Sequence, residues 1–463
     1  MLNNSQTALT STIAAIATPM GRGGVGVIRL SGPNSYQIAL ALTGRQAFKP
    51  RFAHFCRFYD RDDTVIDEGL VLYFPAPHSF TGEDVIELQG HGGMILQQQL
   101  LTRVFELGAN QAVAGEFSAR AFDNDKLDLV QAEAIADAID ATSVAAAKSA
   151  MRSLTGEFSQ KINALLEQLI QLRLYVEAAI DFPDEEGVDF LADEHIAKQL
   201  RQVCEQLNNV LATAKQGQLL RDGVSVVIAG RPNAGKSSLL NRLAGQERAI
   251  VTDIAGTTRD ILQETIVLNG LTLNLTDTAG LRQTDDIVEQ AGIERARQAI
   301  TQADLLLMVY DAHREHEPLR LATELFGSLP NANSILMIAN KIDLSDNHQN
   351  LPKQFSSQEQ IYHPVYVSCK YDTGLEELVN QICDKVGFHP PENSLIARTR
   401  HLDALRRTQM ALQEADEQLH LFHAGELVAE SLRQAQISLN EITGEFTADD
   451  LLGKIFGSFC IGK

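Results

Sequence analysis

Eight consecutive residues, Gly230-Arg231-Pro232-Asn233-Ala234-Gly235-Lys236-Ser237, have the types and spacing needed to hold phosphate. Gly230 and Gly235 leave no side chain to block a polyanion from backbone N–H groups, and a helix starting behind them adds its positive end. In such a loop the ammonium of Lys236 reaches the outer phosphates and the hydroxyl of Ser237 ligates magnesium. Asn233, Ala234, Gly235, Lys236, Ser237 and Ser238 are therefore the expected phosphate-lining residues. The apolar positions Val224, Val226, Val227 and Ile228 predict a strand over 224–229 leading into the loop, with a helix from about Lys236. A bare match to this pattern arises by chance in large sequence sets, so its weight depends on the residues around it.

The next hundred or so residues supply further motifs, each at an expected strand end. Asp277-Thr278-Ala279-Gly280 comes after the apolar stretch 271–275, which pairs with 264–268 through an Asn269-Gly270 turn. A carboxylate at Asp277 can hold magnesium through water, and the amide of Gly280 can swing onto a terminal phosphate. Gly256-Thr257-Thr258-Arg259-Asp260 lies between the two as a mobile segment in which the Thr258 hydroxyl completes the metal shell. Thr252, Asp253, Ile254 and Ala255 precede it in the same nucleotide-facing stretch. Asn340-Lys341-Ile342-Asp343 ends the apolar run 334–339, and the carboxylate of Asp343 can accept from the ring N–H and amino group of guanine. Adenine offers a different edge, so GTP is the expected nucleotide. Ser368, Cys369 and Lys370 end the stretch 365–367 and fit a loop that supports the base. Five motifs in this order are rarely incidental.

One position departs from the Ras-like pattern. Leu281 stands where those proteins carry a glutamine that orients the attacking water, and no arginine finger precedes it. Asn233, Thr252, the Ile254 carbonyl and Thr257 would supply oxygen ligands to a monovalent cation beside the phosphates. Glu289 is the best carboxylate for holding water, against the plain alternative of a solvated helix-face residue.

The 463-residue chain has room for about three domains, each able to bury a core. Short strands and glycine-rich turns mark 1–125 as a compact α/β domain. Helical periodicity runs over 126–221, where Ile162, Leu165, Leu166, Leu169 and Ile170 share one face. The nucleotide motifs occupy 222–384, and helical sequence resumes over 385–463. The fold class is therefore multidomain α/β plus α, with a nucleotide-binding domain inserted into a discontinuous helical domain whose halves each have too little apolar face to stand alone. A net charge of -21 disfavours unaided long-range binding of a polyanion such as RNA. Five cysteines without a CxxC pair point to a reducing compartment and no structural zinc, and no apolar run is long enough for a membrane span, so a cytoplasmic location is expected.

Segments beyond the nucleotide motifs carry a closer resemblance. They are Gly21-Arg-Gly-Gly-Val-Gly26 with Arg29-Leu-Ser-Gly32, Phe80-Thr-Gly-Glu-Asp84 with Glu87-Leu-Gln-Gly-His-Gly-Gly93, Gly115-Glu-Phe-Ser118 with Asn124-Asp-Lys-Leu-Asp128, and the terminal Phe459-Cys-Ile-Gly-Lys463. Together with the GTP motifs they resemble the MnmE (TrmE) family of tRNA modification GTPases over essentially the whole chain. That resemblance implies a potassium-activated GTPase, with a Ras-like P-loop domain, acting with a flavoprotein partner, MnmG (GidA), which carries FAD. The pair installs aminomethyl or carboxymethylaminomethyl groups at carbon 5 of the wobble uridine of certain tRNAs. It also implies an N-terminal folate-binding domain that forms a homodimer, a heterotetramer with the partner, and a tetrahydrofolate derivative (5,10-methylene- or 5-formyl-) as carbon donor.

Carried over by position, the folate contacts fall on Arg29, Glu87, Lys126 and Lys463, the potassium ligands on Asn233, Thr252, Ile254 and Thr257, and the magnesium ligands on Ser237 and Thr258. Cys460 is either a buried small hydrophobe or a thiol brought toward the folate or the uracil. A ribosome-assembly GTPase of the Era or Der kind would share the phosphate loop and Leu281 but would need a basic RNA-binding face. The compact basic cluster Arg398, Arg400, Arg406 and Arg407 reads more simply as a solvated helix face. A dynamin-like scaffold would need a basic amphipathic helix or lipid anchor that the sequence lacks.

Overall fold

The computed structural model describes residues 11–19, 21–181, 194–245, 263–277, 299–344, 351–357, 359–390, 394–422, 424–444, 453, 455–457, 459 and 462. The chain divides into two compact units. The first is Met1–Ala136, Ser153–Cys204 and Arg407–Lys463, and the second is Asp137–Arg152 and Glu205–Arg406.

In the first unit β1 (Ile13–Ile16), β2 (Gly23–Ser31), β3 (His54–Tyr59), β4 (Val65–Phe74), β5 (Val85–Gly92) and β6 (Asn110–Gln111) form one sheet in the order β3-β4-β5-β2-β1-β6. Period-two alternation decides its two faces. Ile28 and Leu30 of β2, with Ile86 and Leu88 of β5, join Phe58, Val71, Ile38, Leu42, Leu101 and Val104 in a core under the helices Ser35–Thr43 and Met94–Glu106. The intervening positions of β2 and β5 place Arg29 opposite Glu87 in the antiparallel ladder. Ile13 and Ala15 pack with Ala112, Phe117 and Phe80 in a smaller cluster. In the helical part of this unit, Glu157–Asp181 packs along Gly425–Thr443. Ile162, Leu165, Leu166 and Leu169 are buried there and Ile170 is half-buried, as the periodicity requires. Near the C-terminus Ile455, Phe456 and Phe459 pack with Leu129, Ala132 and Ala136.

In the second unit β7 (Val224–Ala229), β8 (Gln263–Leu268), β9 (Leu271–Asp277), β10 (Leu305–Asp311), β11 (Ile335–Asn340) and β14 (Pro364–Tyr366) form a six-stranded sheet in the order β14-β11-β10-β7-β9-β8. All neighbours are parallel except β8 and β9. A parallel sheet is covered on both faces, which is why β10 and β11 are apolar without alternation and buried throughout their apolar positions. A separate hairpin is made by β12 (Phe355–Ser357) and β13 (Gln360–Tyr362). The strand expected over 365–367 is instead 364–366, and that expected over 334–339 is 335–340, so Asn340 closes the strand itself.

Two expectations change. The segment 385–463 is not helical throughout: residues 394–398 have no regular secondary structure, with Leu395, Ile396 and Ala397 buried, and a helix begins at Thr399. Gly217 explains the packing, because a Cβ there would overlap the Leu395 carbonyl. The arginine cluster is not one solvated face either. Arg398 is only 14% exposed and donates to Asp137, at 2.8 Å from Nη2 and 3.3 Å from Nε. Arg406 pairs with Asp403, and Arg407 with Glu441.

Asp137 also accepts from Arg221 Nε at 2.8 Å, so one carboxylate, 5% exposed, holds two arginines from segments far apart in sequence. Removing one member of such a pair leaves charge in a poor solvent, and Asp137→Ala is expected to cost about 3 kcal/mol, the low end for a buried pair because Arg221 is partly exposed. A lowered urea midpoint by circular dichroism would show this; an unchanged midpoint would mean that the arginines are as well satisfied by water.

Candidate nucleotide-binding site

The phosphate loop leaves the C-terminal end of β7, which lies between β10 and β9, and ends in the helix Lys236–Ala244. Both of its outer glycines are required by space. A Cβ on Gly230 would overlap the Val309 carbonyl of β10, and one on Gly235 would overlap the side-chain nitrogen of Asn340. Gly235 is also the helix N-cap at φ 98°, a left-handed conformation that costs a side chain strain. The first-turn N–H groups behind it have no carbonyl partner within the helix and form the anion-attracting end. Lys236 Nζ donates to the carbonyls of Gly230 at 2.8 Å and Arg231 at 3.3 Å, which sets the ammonium across the loop.

The base-recognition residues reach the same loop. Asn340 is 2% exposed; its Nδ2 donates to the Ala234 carbonyl at 3.0 Å, and its Oδ1 accepts from the amides of Lys341 at 2.8 Å and Cys369 at 3.3 Å. Lys341 Nζ donates to the Asn233 carbonyl at 2.6 Å and to Asp311 Oδ2 at 2.9 Å. Ser368 Oγ donates to Asp343 Oδ1 at 2.6 Å, which orients the carboxylate expected to read guanine. Arg242 Nε donates to the Cys369 carbonyl at 3.1 Å. Cys369 is buried, which pushes its thiol up, so it packs as a neutral side chain. Lys370 Nζ lies 5.0 Å from the Tyr371 ring centroid.

The nucleotide motifs alone do not point to Asp311, Arg242 or Glu315. Asp311 has a legible signal: it ends the run Leu305–Asp311 in register with Asn340. Arg231 pairs with Glu315 and Glu324. Asp277 ends β9, its backbone in register with Ile228. Thr252, Asp253, Ile254, Ala255, Gly256, Thr257, Thr258, Thr278, Ala279, Gly280, Glu289, Cys460 and Lys463 lie outside the described residues.

In the first unit Arg29 and Glu87 form a direct pair, with Glu87 Oε1 accepting from Nε at 3.1 Å and Nη2 at 2.9 Å. The guanidinium stands 5.4 Å from the Phe80 ring centroid and 5.9 Å from that of Phe117. Lys126 is exposed; a Cβ on Gly82, two residues after Phe80, would come within 3.0 Å of its Cε. Arg29, Glu87 and Lys126 thus gather around the Phe80 to Glu83 loop. Sequence reasoning missed the charges that fix this loop. Ser31 Oγ donates to Glu83 at 2.6 Å, while the buried Arg120 donates to Glu83 at 3.1 Å and to Glu116 at 2.9 Å. A Cβ on Gly462 would overlap the Ile16 carbonyl and come within 3.2 Å of Ala17 Cα, so Gly462 lies beside the end of β1, whose Ala15 is in register with Arg29.

The strand order, the glycine-lined loop after β7 and the Asn-Lys-x-Asp turn after β11 define a Ras-like P-loop GTPase domain. The family model described as the MnmE helical domain matches residues 129–460, and that described as the GTP-binding protein TrmE N-terminus matches residues 12–126. A tRNA modification GTPase MnmE of Psychrobacter arcticus is 73% identical over 100% of this chain and 98% of its own length. Proteins of the same name from Acinetobacter baumannii and Pseudomonas aeruginosa are 62% and 56% identical, each over 98% of this chain and over 98% and 100% of their own. The chain belongs to the MnmE family.

Burial raises the Asp311 carboxyl, but the hydrogen bond from Lys341, the His313 amide, and the charges of Lys341 and Arg314 outweigh it and hold the group below its ordinary value. The folded value lies under the unfolded one, so this stabilisation is complete above the ordinary aspartate range and is lost as pH falls through the lowered value. A carbon-detected NMR titration is expected to place Asp311 below 3.8 and to move it up in Lys341→Met. A midpoint that ignores the lysine would contradict the ion pair.

Proposed function

We propose that this chain is a potassium-activated GTP hydrolase which, with a flavoprotein of the MnmG (GidA) type, adds an aminomethyl or carboxymethylaminomethyl group to carbon 5 of the wobble uridine of certain tRNAs. The observation that carries the GTP part is the pair of hydrogen bonds from Asn340 and Lys341 to the phosphate loop, which ties base recognition to phosphate binding. The tRNA part rests on relatives named tRNA modification GTPase MnmE over their full length.

Lys236 and the amides at the start of its helix neutralise the outer phosphates, and Asp343 selects guanine. Ser237 and Thr258 would hold magnesium, which supplies charge neutralisation between phosphates when bound. Asn233, Thr252, Ile254 and Thr257 would hold potassium in place of an arginine finger. Asn233 fits, because its φ of 63° lets a loop residue turn back beside the phosphates. Glu289 would orient the attacking water.

In the first unit the Arg29 and Glu87 pair, Lys126 and Lys463 suit a ligand with an amino-pyrimidine edge and a carboxylate tail, as a tetrahydrofolate has. Both Arg29 donors go to Glu87 Oε1, so the arginine orients the carboxylate and Oε2 would accept from the ligand's amino group. Cys460 would act near this ligand; of its neighbours in sequence, Phe459 is buried against Phe456, and a Cβ on Gly462 would meet the Ile16 carbonyl. Among the described residues no helix is long and apolar enough to cross a membrane. The working state is a cytoplasmic homodimer joined to the flavoprotein, with domains 1–125, 126–221, 222–384 and 385–463.

The test is reconstitution with the flavoprotein (FAD loaded), NADH, tetrahydrofolate donor, undermodified tRNA and GTP, following both phosphate release and the mass of the wobble nucleoside. Potassium is expected to support both, and sodium to slow GTP hydrolysis at least about tenfold, the charge-stabilising role of a missing finger. Equal rates in the two salts would remove the cation from the mechanism, and an unaltered nucleoside would remove the tRNA reaction.

A further inference from the structure

The second unit contains a contact that none of these roles uses. Thr142 and Ser143 stand before the helix Val144–Leu154 and meet the turn between β8 and β9. Ser143 Oγ accepts from the amide of Ala146 at 3.1 Å and donates to the carbonyl of Gly270 at 3.1 Å. The Ser143 carbonyl accepts from the Ala147 amide at 3.0 Å, so one residue caps the helix and grips the turn. The Thr142 hydroxyl lies 2.9 Å from that of Thr272, which is buried. Asn269 and Gly270 both have positive φ, 51° and 86°, as a tight hairpin turn needs, and a Cβ on Gly270 would stand 3.1 Å from that of Ala145. Ala145 in turn packs against the core that contains Ile266, Leu268, Leu271 and Leu273.

The position of this hairpin in the chain gives the contact its meaning. β8 starts where the stretch containing Thr252 to Thr258 ends, and β9 finishes at Asp277, where Asp-Thr-Ala-Gly begins. In a working GTPase both stretches respond to the terminal phosphate. The two strands are locked in register from Gln263 opposite Thr276 to Leu268 opposite Leu271, so a displacement at their open end is carried to the turn. A hydroxyl-to-carbonyl bond tolerates only a few tenths of an ångström of extra length, since it weakens steeply beyond about 3.5 Å.

We propose that the seat of the β8–β9 turn on Thr142 and Ser143 passes the nucleotide state to the helix Val144–Leu154. The proposal rests on the GTPase reading and makes Ser143 a coupling residue that acts through the hairpin. Its logic is that of a two-state contact biased by one ligand.

Hydrogen exchange of the full chain tests it, in potassium with GDP alone and with GDP plus aluminium fluoride, with occupancy followed separately by a fluorescent GDP analogue. Ser143→Asp keeps an oxygen for the Ala146 amide but has no proton for Gly270, whereas Ser143→Asn has both. The wild-type amides of Ala146 and Ala147 are expected to differ between the two states by about fivefold or more. Ser143→Asp should lose that difference while keeping GDP affinity and the protection of later helical turns, and Ser143→Asn should restore it. A Ser143→Asp protein that keeps the wild-type difference overturns the proposal. So do wild-type helix amides that exchange alike in both states while those of β8 and β9 respond. A chain that fails to bind the GDP analogue overturns the GTPase reading and this proposal with it, an outcome the occupancy measurement separates from the other two.

Discussion

The nucleotide site depends on the buried amide of Asn340 bonding to the carbonyl of Ala234. Asn340 comes from the end of β11 and Ala234 from the loop after β7, strands that are not neighbours because β10 lies between them. The sheet sets their separation, and the asparagine fills it with one donor to the loop and one acceptor for two backbone amides. Each such bond has a net worth of about 1 kcal/mol, but leaving a buried amide without partners costs more. Lys341 repeats the connection one residue later, with Asp311 balancing its charge. Gly235 is the counterpart of this clamp, since any larger residue would occupy the place of the Asn340 side chain. The loop is thereby held in a phosphate-ready shape by the residues that recognise the base.

The first unit solves a similar problem with a ladder. Antiparallel register places Arg29 opposite Glu87, and the adjacent Phe80 and Phe117 rings limit the positions open to the guanidinium. The buried Arg120 with Glu83 and Glu116 then fixes the loop that carries Phe80. Charge is tolerated there because each group is paired, which is also how Asp137 holds Arg221 and Arg398 in the second unit.

Local signals in the sequence were sufficient for the strand and helix that flank the phosphate loop and for the turn between β8 and β9. The strand Val224–Ala229 and the helix from Lys236 occur as the apolar run and the glycine spacing indicated, and the Asn269-Gly270 turn joins β8 to β9. What could not be read depends on residues distant in the chain. Asp311 acquires its role from register with Asn340, and Asp137 from arginines on two other segments. Arg398 carries the same charge as its neighbours in sequence, so only its burial separates it from a solvated face. The non-helical stretch before Thr399 is apolar enough to pass for helix, and it is the absence of a Cβ at Gly217 that lets the Leu395 backbone approach so closely.

The most direct measurement is hydrogen exchange at the amides of Ala234 and Leu239, which donate to the carbonyls of Arg231 and Gly235 in the loop, in Asn340→Ala compared with wild type without nucleotide. If the asparagine holds the loop, those amides exchange about tenfold faster in the variant, as the loss of one buried hydrogen bond requires. Equal exchange in the two proteins would contradict the clamp and leave the shape of the loop to its glycines alone.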